Sequence, residues 1–387
     1  MSDNADFLPD EIVTQILLRL PIKSIIISIC VCKTWKSIIQ NPTFISTHLH
    51  RSINNNNNHH HLLFRLREDD ADIEQIYALH NDDDNDFTEH TRFDFPFQGP
   101  DFNAMYNHVD TINGLLCLSD DLDSPTNLHQ FLLWNPCVRK FLKLPSPNVT
   151  YETHGEFNES IGFGFDTKNN DFKVVKLVTT RESFNLRKDR PLVELYSLST
   201  GEWRMITASL PPICGLAHRE RHVFVNGALH WLALRMTDYL KIYCFILVFD
   251  LGDEVFREIL LPEDPDYFGA SLSVYGNSIA FFQEWASSNG GHFNIWVMKE
   301  YGVASSWIKV LTVANQGREG EDISRPIGFR RNGEVMLKMD DGQLVSQDLE
   351  TQERKDLRIN SYNYTFVDYY VESLVLLDKA ANGVVTY

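Results

Sequence analysis

The chain has 387 residues, 43% hydrophobic and 12% aromatic, with a formal net charge of −18. That length exceeds one small core and the composition is that of a chain that folds, so a large domain with a small appendage is expected. The longest apolar run, Ile25 to Val31, falls well short of the ~20 residues that span a bilayer, and Lys and Arg are not clustered, so neither a membrane nor a nucleic-acid role is indicated.

Residues 7 to 51 read as a compact helical unit. Pro9 suits a first helical position, Asp10 and Glu11 favour the positive end of the helix dipole, and Ile12, Val13, Ile16, Leu17 and Leu20 recur at helical spacing until Pro21. A second helix is expected from Ile22 to Cys30 and a third from Cys32 to Gln40, stopped by Asn41-Pro42. Short helices totalling 45 residues cannot bury all these faces against each other, so part of that surface expects a partner. The six cysteines form no C-x-x-C pair and no secretory leader precedes them; they read as reduced thiols of the cytoplasm or nucleus.

The Asn/His-rich tract from Asn54 to His61 reads as a flexible junction, and a mobile His tract lacks the fixed geometry of a metal site. The expected division is 1–52, a junction at 53–61, and a large unit at 62–387. Between Glu68 and Asp101 twelve acidic residues face Arg92 alone, a net −11 in 34 residues. This stretch is either a solvated loop or a steering patch for a basic partner.

Beyond residue 62 the chain changes to short alternating runs punctuated by turns. Hairpin turns centred near 113, 169, 226, 276 and 332 recur about every 50 to 57 residues, and Asn-Gly supplies the positive φ that such turns require. Between them lie second hairpins: Phe131 to Leu144, Val193 to Ile206, Ile246 to Leu261, Asn294 to Val313 and Gln343 to Ile359. Two hairpins per repeat give four strands, the pattern of a β-propeller blade. Five blades are legible, and residues 62–97 with a closing strand at Tyr370 to Leu377 would join the two ends of the domain as a sixth. A β-sandwich is the alternative.

No catalytic motif emerges. His218-Arg219-Glu220 has the H-x-E of zinc deaminases without the P-C-x-x-C half, and Gly162-Phe163-Gly164 reads as a close-packing strand pair. Neither a cofactor nor a metal is expected. The Trp and Phe residues read as packing between blades, and Leu186 to Pro191, Asp264 to Gly269 and Asn315 to Asp322 as binding loops.

The N-terminal elements Leu8-Pro9-Asp10-Glu11-Ile12-Val13, Arg19-Leu20-Pro21-Ile22-Lys23-Ser24-Ile25 and Val31-Cys32-Lys33-Thr34-Trp35 occur in the order and spacing of a plant F-box, which the segment resembles. Asn113-Gly114-Leu115-Leu116-Cys117, Leu133-Trp134-Asn135-Pro136, Gly162 to Asp166, Asp171 to Val175 and Asn226 to Trp231 resemble the F-box-associated, kelch-like propeller domain of the same plant proteins. The resemblance implies a small all-α F-box of three to four short helices followed by an all-β propeller-like domain. It also implies a role: a non-catalytic receptor subunit bridging a Skp-type adaptor on a cullin scaffold to a protein that is then ubiquitinated. Carried over, Leu8, Pro9, Ile12, Ile16, Leu20, Pro21, Ile25, Val31, Cys32 and Trp35 form or support the adaptor face. One departure is Ile25-Ile26-Ile27-Ser28-Ile29, where the family often carries basic residues.

The stretches Ser46 to Arg51 and Tyr370 to Leu377 are similar to the pollen S-locus branch, which acts in self-incompatibility and would imply a basic ribonuclease as target; S-locus-like relatives share such motifs without that role. Two other readings stay open. A propeller glycosidase needs two carboxylates about 5 to 10 Å apart in one pocket, and a non-degradative scaffold would bind the adaptor without ubiquitination.

Overall fold

The computed structural model describes residues 8–54, 61–67, 75–82, 87–94, 106–120, 130–180, 190–216, 221–236, 241–262, 269–285, 291–315, 322–362, 365–379 and 383–384. Four helices come first: α1 (Asp10–Leu17), α2 (Ile22–Ser28), α3 (Lys33–Ile39) and α4 (Pro42–Asn54). Pro9 and Pro21 stand just before α1 and α2 in extended conformation, one position earlier than expected for Pro9. Cys32 caps α3, its Sγ accepting from the Trp35 amide at 3.4 Å. Asn41-Pro42 ends α3 as expected but also opens α4. The Asn41 carboxamide oxygen accepts from the Thr43 amide at 2.8 Å, and Pro42 takes the first helical position, where its missing N–H costs nothing.

The strands follow in chain order. β1 (His61–Arg67), β2 (Gln75–Asn81) and β3 (Glu89–Asp94) begin one sheet. β4 (Asn107–Ile112), β5 (Leu115–Ser119), β6 (Phe131–Asn135) and β7 (Lys140–Lys143) form the next. After the one-turn helix α5 (Tyr151–His154) come β8 (Phe157–Asp166), β9 (Asp171–Thr180), β10 (Leu192–Ser197) and β11 (Glu202–Met205). A fourth sheet holds β12 (Gly215–Leu216), β13 (Val223–Val225), β14 (Ala228–Met236), β15 (Ile242–Asp250) and β16 (Val255–Leu260). β17 (Ser271–Tyr275), β18 (Ser278–Trp285), β19 (His292–Met298) and β20 (Trp307–Ala314) make the fifth. β21 (Ile323–Phe329), β22 (Val335–Met339), β23 (Gln343–Gln347) and β24 (Arg354–Asn360) make the sixth. β25 (Val367–Tyr370) then pairs antiparallel with β1, completing the first sheet in the order β25-β1-β2-β3, and β26 (Gly383–Val384) lies against β7.

These are six blades of a propeller, with β25, β4, β8, β13, β17 and β21 as the inner ring. The sandwich alternative is thereby excluded. Each junction between neighbouring blades holds its own apolar cluster. Trp134 lies between the first two blades, Phe163 between the second and third, Trp231 in the next junction and Trp307 in the one after. The clusters around Phe329 and around Phe64 close the circle. Most of the aromatic residues thus pack blade on blade, as the repeat predicts. The glycine pair works as expected too: a Cβ on Gly162 would stand 2.5 Å from the Trp231 ring, and one on Gly164 2.6 Å from Leu251 and Phe224. The turn prediction also holds, with positive φ at Asn113, Asn170, Asn226, Gly276 and Gly333.

The C-terminal expectation needs correcting. The closing strand is Val367–Tyr370, and residues 371–377 are not strand. They run instead between the helices and the propeller, with Leu374 and Leu377 in the helical core and Val375 and Leu376 in the cluster of the second and third blades. The buried Asn135 carboxamide holds this segment, donating to the carbonyls of Ser373 (3.0 Å) and Val375 (2.9 Å). Lys140 adds bonds to the Leu377 and Lys379 carbonyls. Backbone groups satisfied by side chains in this way need no strand partner.

Candidate functional site

The helices sit at one end of the propeller. Cys137 and Val138, in the β6–β7 turn, join the helical core, Leu49 of α4 joins a blade cluster, and the Ser46 hydroxyl lies 3.3 Å from the Asn170 carboxamide oxygen in the β8–β9 turn. Because strands alternate in direction, the short Asn- and Gly-centred turns share this end. The strand ends flanking 181–189, 263–268 and 316–321 lie at the other. Most of the expected binding loops fall within those three stretches, outside the described residues, as does His218-Arg219-Glu220.

Two faces of α1 part company. Val13 and Leu17 point into a core with Leu18, Ile22, Ile25, Ile39, Phe44 and Ile45. Ile12 and Ile16, four residues apart and so on one face of α1, are 48% and 45% exposed, Leu8 just before the helix is 58% exposed, and Ile27 and Val31 are 63% and 62% exposed. Five of the fourteen exposed large apolar residues among the described residues thus lie within 24 residues of sequence. Pro9, Pro21 and Cys32 are also exposed, Leu20 and Trp35 are half-buried against the helical core, and Ile25 is fully buried. Of the ten residues assigned to the adaptor face, seven stand on the surface; Leu20, Ile25 and Trp35 support it from within. In the run Ile25 to Ile29, Ile25 and Ser28 are buried and Ile27 faces solvent.

A second constellation was not foreseen. A cavity of about 340 Å³ runs through the ring of inner strands, lined among others by Asp110, Arg221, His222, Phe366 and Asp368. His222 Nε2 lies 2.9 Å from Asp110, His108 Nε2 lies 3.2 Å from Asp368, and Arg221 Nη2 bonds Asp368 at 3.0 Å while standing 4.0 Å from Asp110. The His108 ring stacks on Phe366 with centroids 3.5 Å apart. Burial pushes the Asp368 carboxyl up to about 6 against the pull of Arg221, and burial drives His108 well below its usual range. These groups are spread over positions 108 to 368 on different blades, so no spacing in the sequence announces them.

The acidic segment is also revised. Asp82 is not a solvated charge: its carboxylate accepts from Arg330 Nε at 2.8 Å and from the Arg331 amide at 2.9 Å, with both side chains of the ion pair 1% exposed. Glu89 pairs with Arg92 at 2.6 Å. Asp83, Asp84 and Asp86 lie outside the described residues.

Comparison with known proteins agrees with this architecture. Residues 6–47 match the F-box domain family and residues 69–377 the F-box associated beta propeller domain family. F-box protein CPR1 of Arabidopsis thaliana is 26% identical over 95% of this chain and 89% of its own, and an F-box/kelch-repeat protein of the same plant is 27% identical over 87% and 86%. Among solved structures, the Dos1 propeller aligns over 74% of this chain and 65% of its own at 10% identity, with a TM-score of 0.34, too slight a likeness to carry an argument. With an exposed helical face at one end of a closed six-bladed ring, and both halves matched, the chain belongs to the F-box proteins that carry an F-box associated β-propeller domain.

Proposed function

We propose that this protein is a substrate receptor of a Skp-cullin-F-box ubiquitin ligase: the helical unit docks on a Skp-type adaptor, and the propeller presents a target protein for ubiquitination without chemistry of its own. The observation that supports it is the bare stripe Leu8, Ile12, Ile16, Ile27 and Val31, beside a helical core that is otherwise closed. Fully burying an aliphatic side chain of this size contributes about 1.5 to 3 kcal/mol, so a few such anchors suffice for a stable complex. Leu20, Ile25 and Trp35 hold the helices that present them. No helix among the described residues is long and apolar enough to cross a membrane.

The helices occupy one end of the ring, so the far end, where the longer connections emerge, is free to meet the target. His48 and Leu49 are buried, Ser46 meets the propeller, and Tyr370 to Leu377 binds the two units together, so both S-locus-like stretches have structural work of their own. A basic target protein remains the reading that the acidic segment supports.

The test is Ile12→Asp with Ile16→Asp in the full-length chain. Adaptor binding measured by biolayer interferometry should weaken at least 100-fold, with the melting temperature unchanged because neither residue packs in the core. Undiminished binding would reject the face. Ubiquitination of a captured target in the assembled complex separates the ligase reading from a scaffold.

A hydrolytic reading has one observation in its favour. Asp110 and Asp368 both approach Arg221 Nη2, which puts them within 7 Å of each other along that bridge. Both carboxylates are already engaged by cations or histidines, which leaves no free acid aimed at a leaving group. Turnover of nitrophenyl glycosides that disappears in Asp368→Asn would favour hydrolysis over the receptor reading.

A further inference from the structure

The channel cluster has no part in adaptor docking, and its charge is unusual for so acidic a chain. Arg221 commits Nη2 to Asp368 and His108, while Nε has no partner and the side chain is 38% exposed. Its guanidinium lies over the Phe366 ring, 5.1 Å from the centroid. A second arginine is buried outside the channel lining. Arg65 is 2% exposed, pairs across strands with Tyr77, whose ring is 6.1 Å from Phe366, and has neither Nε nor Nη2 bonded. A buried cation without an acceptor is costly, and this one lies close enough to His108 to depress its basicity. The channel lining therefore holds the part-exposed Arg221 together with Arg325, and Arg65 stands buried outside it, while the two carboxylates are already engaged by His222, His108 and Arg221.

We propose that the central channel is a binding site for a small organic carboxylate with an apolar, ring-sized body. The walls include Phe224, Leu272, Phe282, Ile327 and Phe366, and the volume stands at the small end of ligand pockets, which run from about 300 to 1,000 Å³. Arg221 meets the carboxylate, since a guanidinium is the preferred partner of that group. Arg65, buried outside the lining, lends long-range positive potential. A free phosphate is the poorer fit. Its second charge meets Asp110 and Asp368, and it leaves the apolar walls unused.

The probes are benzoate, the neutral isostere benzamide and inorganic phosphate, each titrated against the full-length protein by thermal shift and by saturation-transfer NMR. Benzoate should bind saturably and raise the melting temperature, benzamide should bind at least 10-fold more weakly, and phosphate should compete poorly. Arg221→Gln, which keeps a donor for Asp368, should weaken benzoate at least 10-fold. Arg65→Met removes an unpaired buried charge without leaving a large cavity; it should fold at least as well as the native chain yet bind benzoate less tightly, and it serves if Arg221→Gln misfolds. Equal binding of benzoate and benzamide, or native benzoate affinity in a folded variant of either arginine, overturns the proposal. Phosphate binding more tightly than benzoate overturns its carboxylate assignment.

Discussion

The helical unit and the propeller solve the same burial problem with different results. In the propeller each blade hides its apolar faces against two neighbours, and six interblade clusters leave exposed large side chains only here and there, such as Leu210, Leu260 and Trp285. The helical unit is too small for that. It completes its inner face with residues of the large domain, Leu374, Leu377, Cys137 and Val138, and leaves its outer face bare. The two faces therefore separate stability from recognition. Changes on the inner face or at the ring closure should act through folding, and changes on the outer face through binding alone.

The largest effect tests closure. Removing residues 366–387 takes away β25, the inner strand of the first blade, together with the segment that joins helices to propeller. An unpaired inner edge invites pairing with other chains, so the truncated protein should be insoluble or rapidly digested. The double variant Leu374→Ala with Leu377→Ala is milder, costing about 2 to 5 kcal/mol per residue by the usual core truncation scale. Soluble truncated protein with native protease resistance would show that the ring does not depend on β25.

A smaller but still large effect is expected at Asp82, where the hairpin Arg330 to Glu334 meets the first blade. Arg330 contacts Asp82 and Glu334, the latter at 2.7 Å. Asp82→Asn takes a buried carboxylate away from a buried guanidinium, and breaking a buried pair costs about 3 to 5 kcal/mol. Chemical denaturation should show a lower midpoint with an unchanged slope. Native stability in the variant would mean that Arg330 does not depend on the Asp82 charge.

What could be read beforehand follows from how local the signal is. The Asn-Gly turns at 113 and 226 are fixed by two residues each, because few residues tolerate positive φ, and they gave blade spacing directly. The stripe of Leu8, Ile12 and Ile16 is equally local. By contrast, Asp82 pairs across 248 residues and Asn135 reaches 238 residues along the chain, and nothing near either residue in the sequence marks the partner. The run Leu374 to Leu377 looks like a strand by composition. It is not one because Asn135 and Lys140 side chains take over its carbonyls. The fourth helix was allowed by the resemblance but not placed in the sequence, because Asn41-Pro42 stops one helix and starts the next with the same two residues. The channel cluster was invisible for the reason that Asp82 was: its members come from different blades.

The smallest effect separates Asp82 from the acids that follow it. Asp83, Asp84 and Asp86 share its sequence neighbourhood, lie outside the described residues, and are the candidates for steering a basic target. Long-range attraction raises association rates more than final affinity, and it is lost near 1 M salt, where the screening length is only about 3 Å. Replacing the three by Asn should therefore slow target association several-fold at low ionic strength, change dissociation little, and have no effect at high salt. The melting temperature should stay within that of the native chain, in contrast to Asp82→Asn. If the triple variant instead loses stability, these carboxylates have buried partners as Asp82 does. If it associates at the native rate in low salt, the acidic segment is a solvated surface and steering has to be assigned elsewhere.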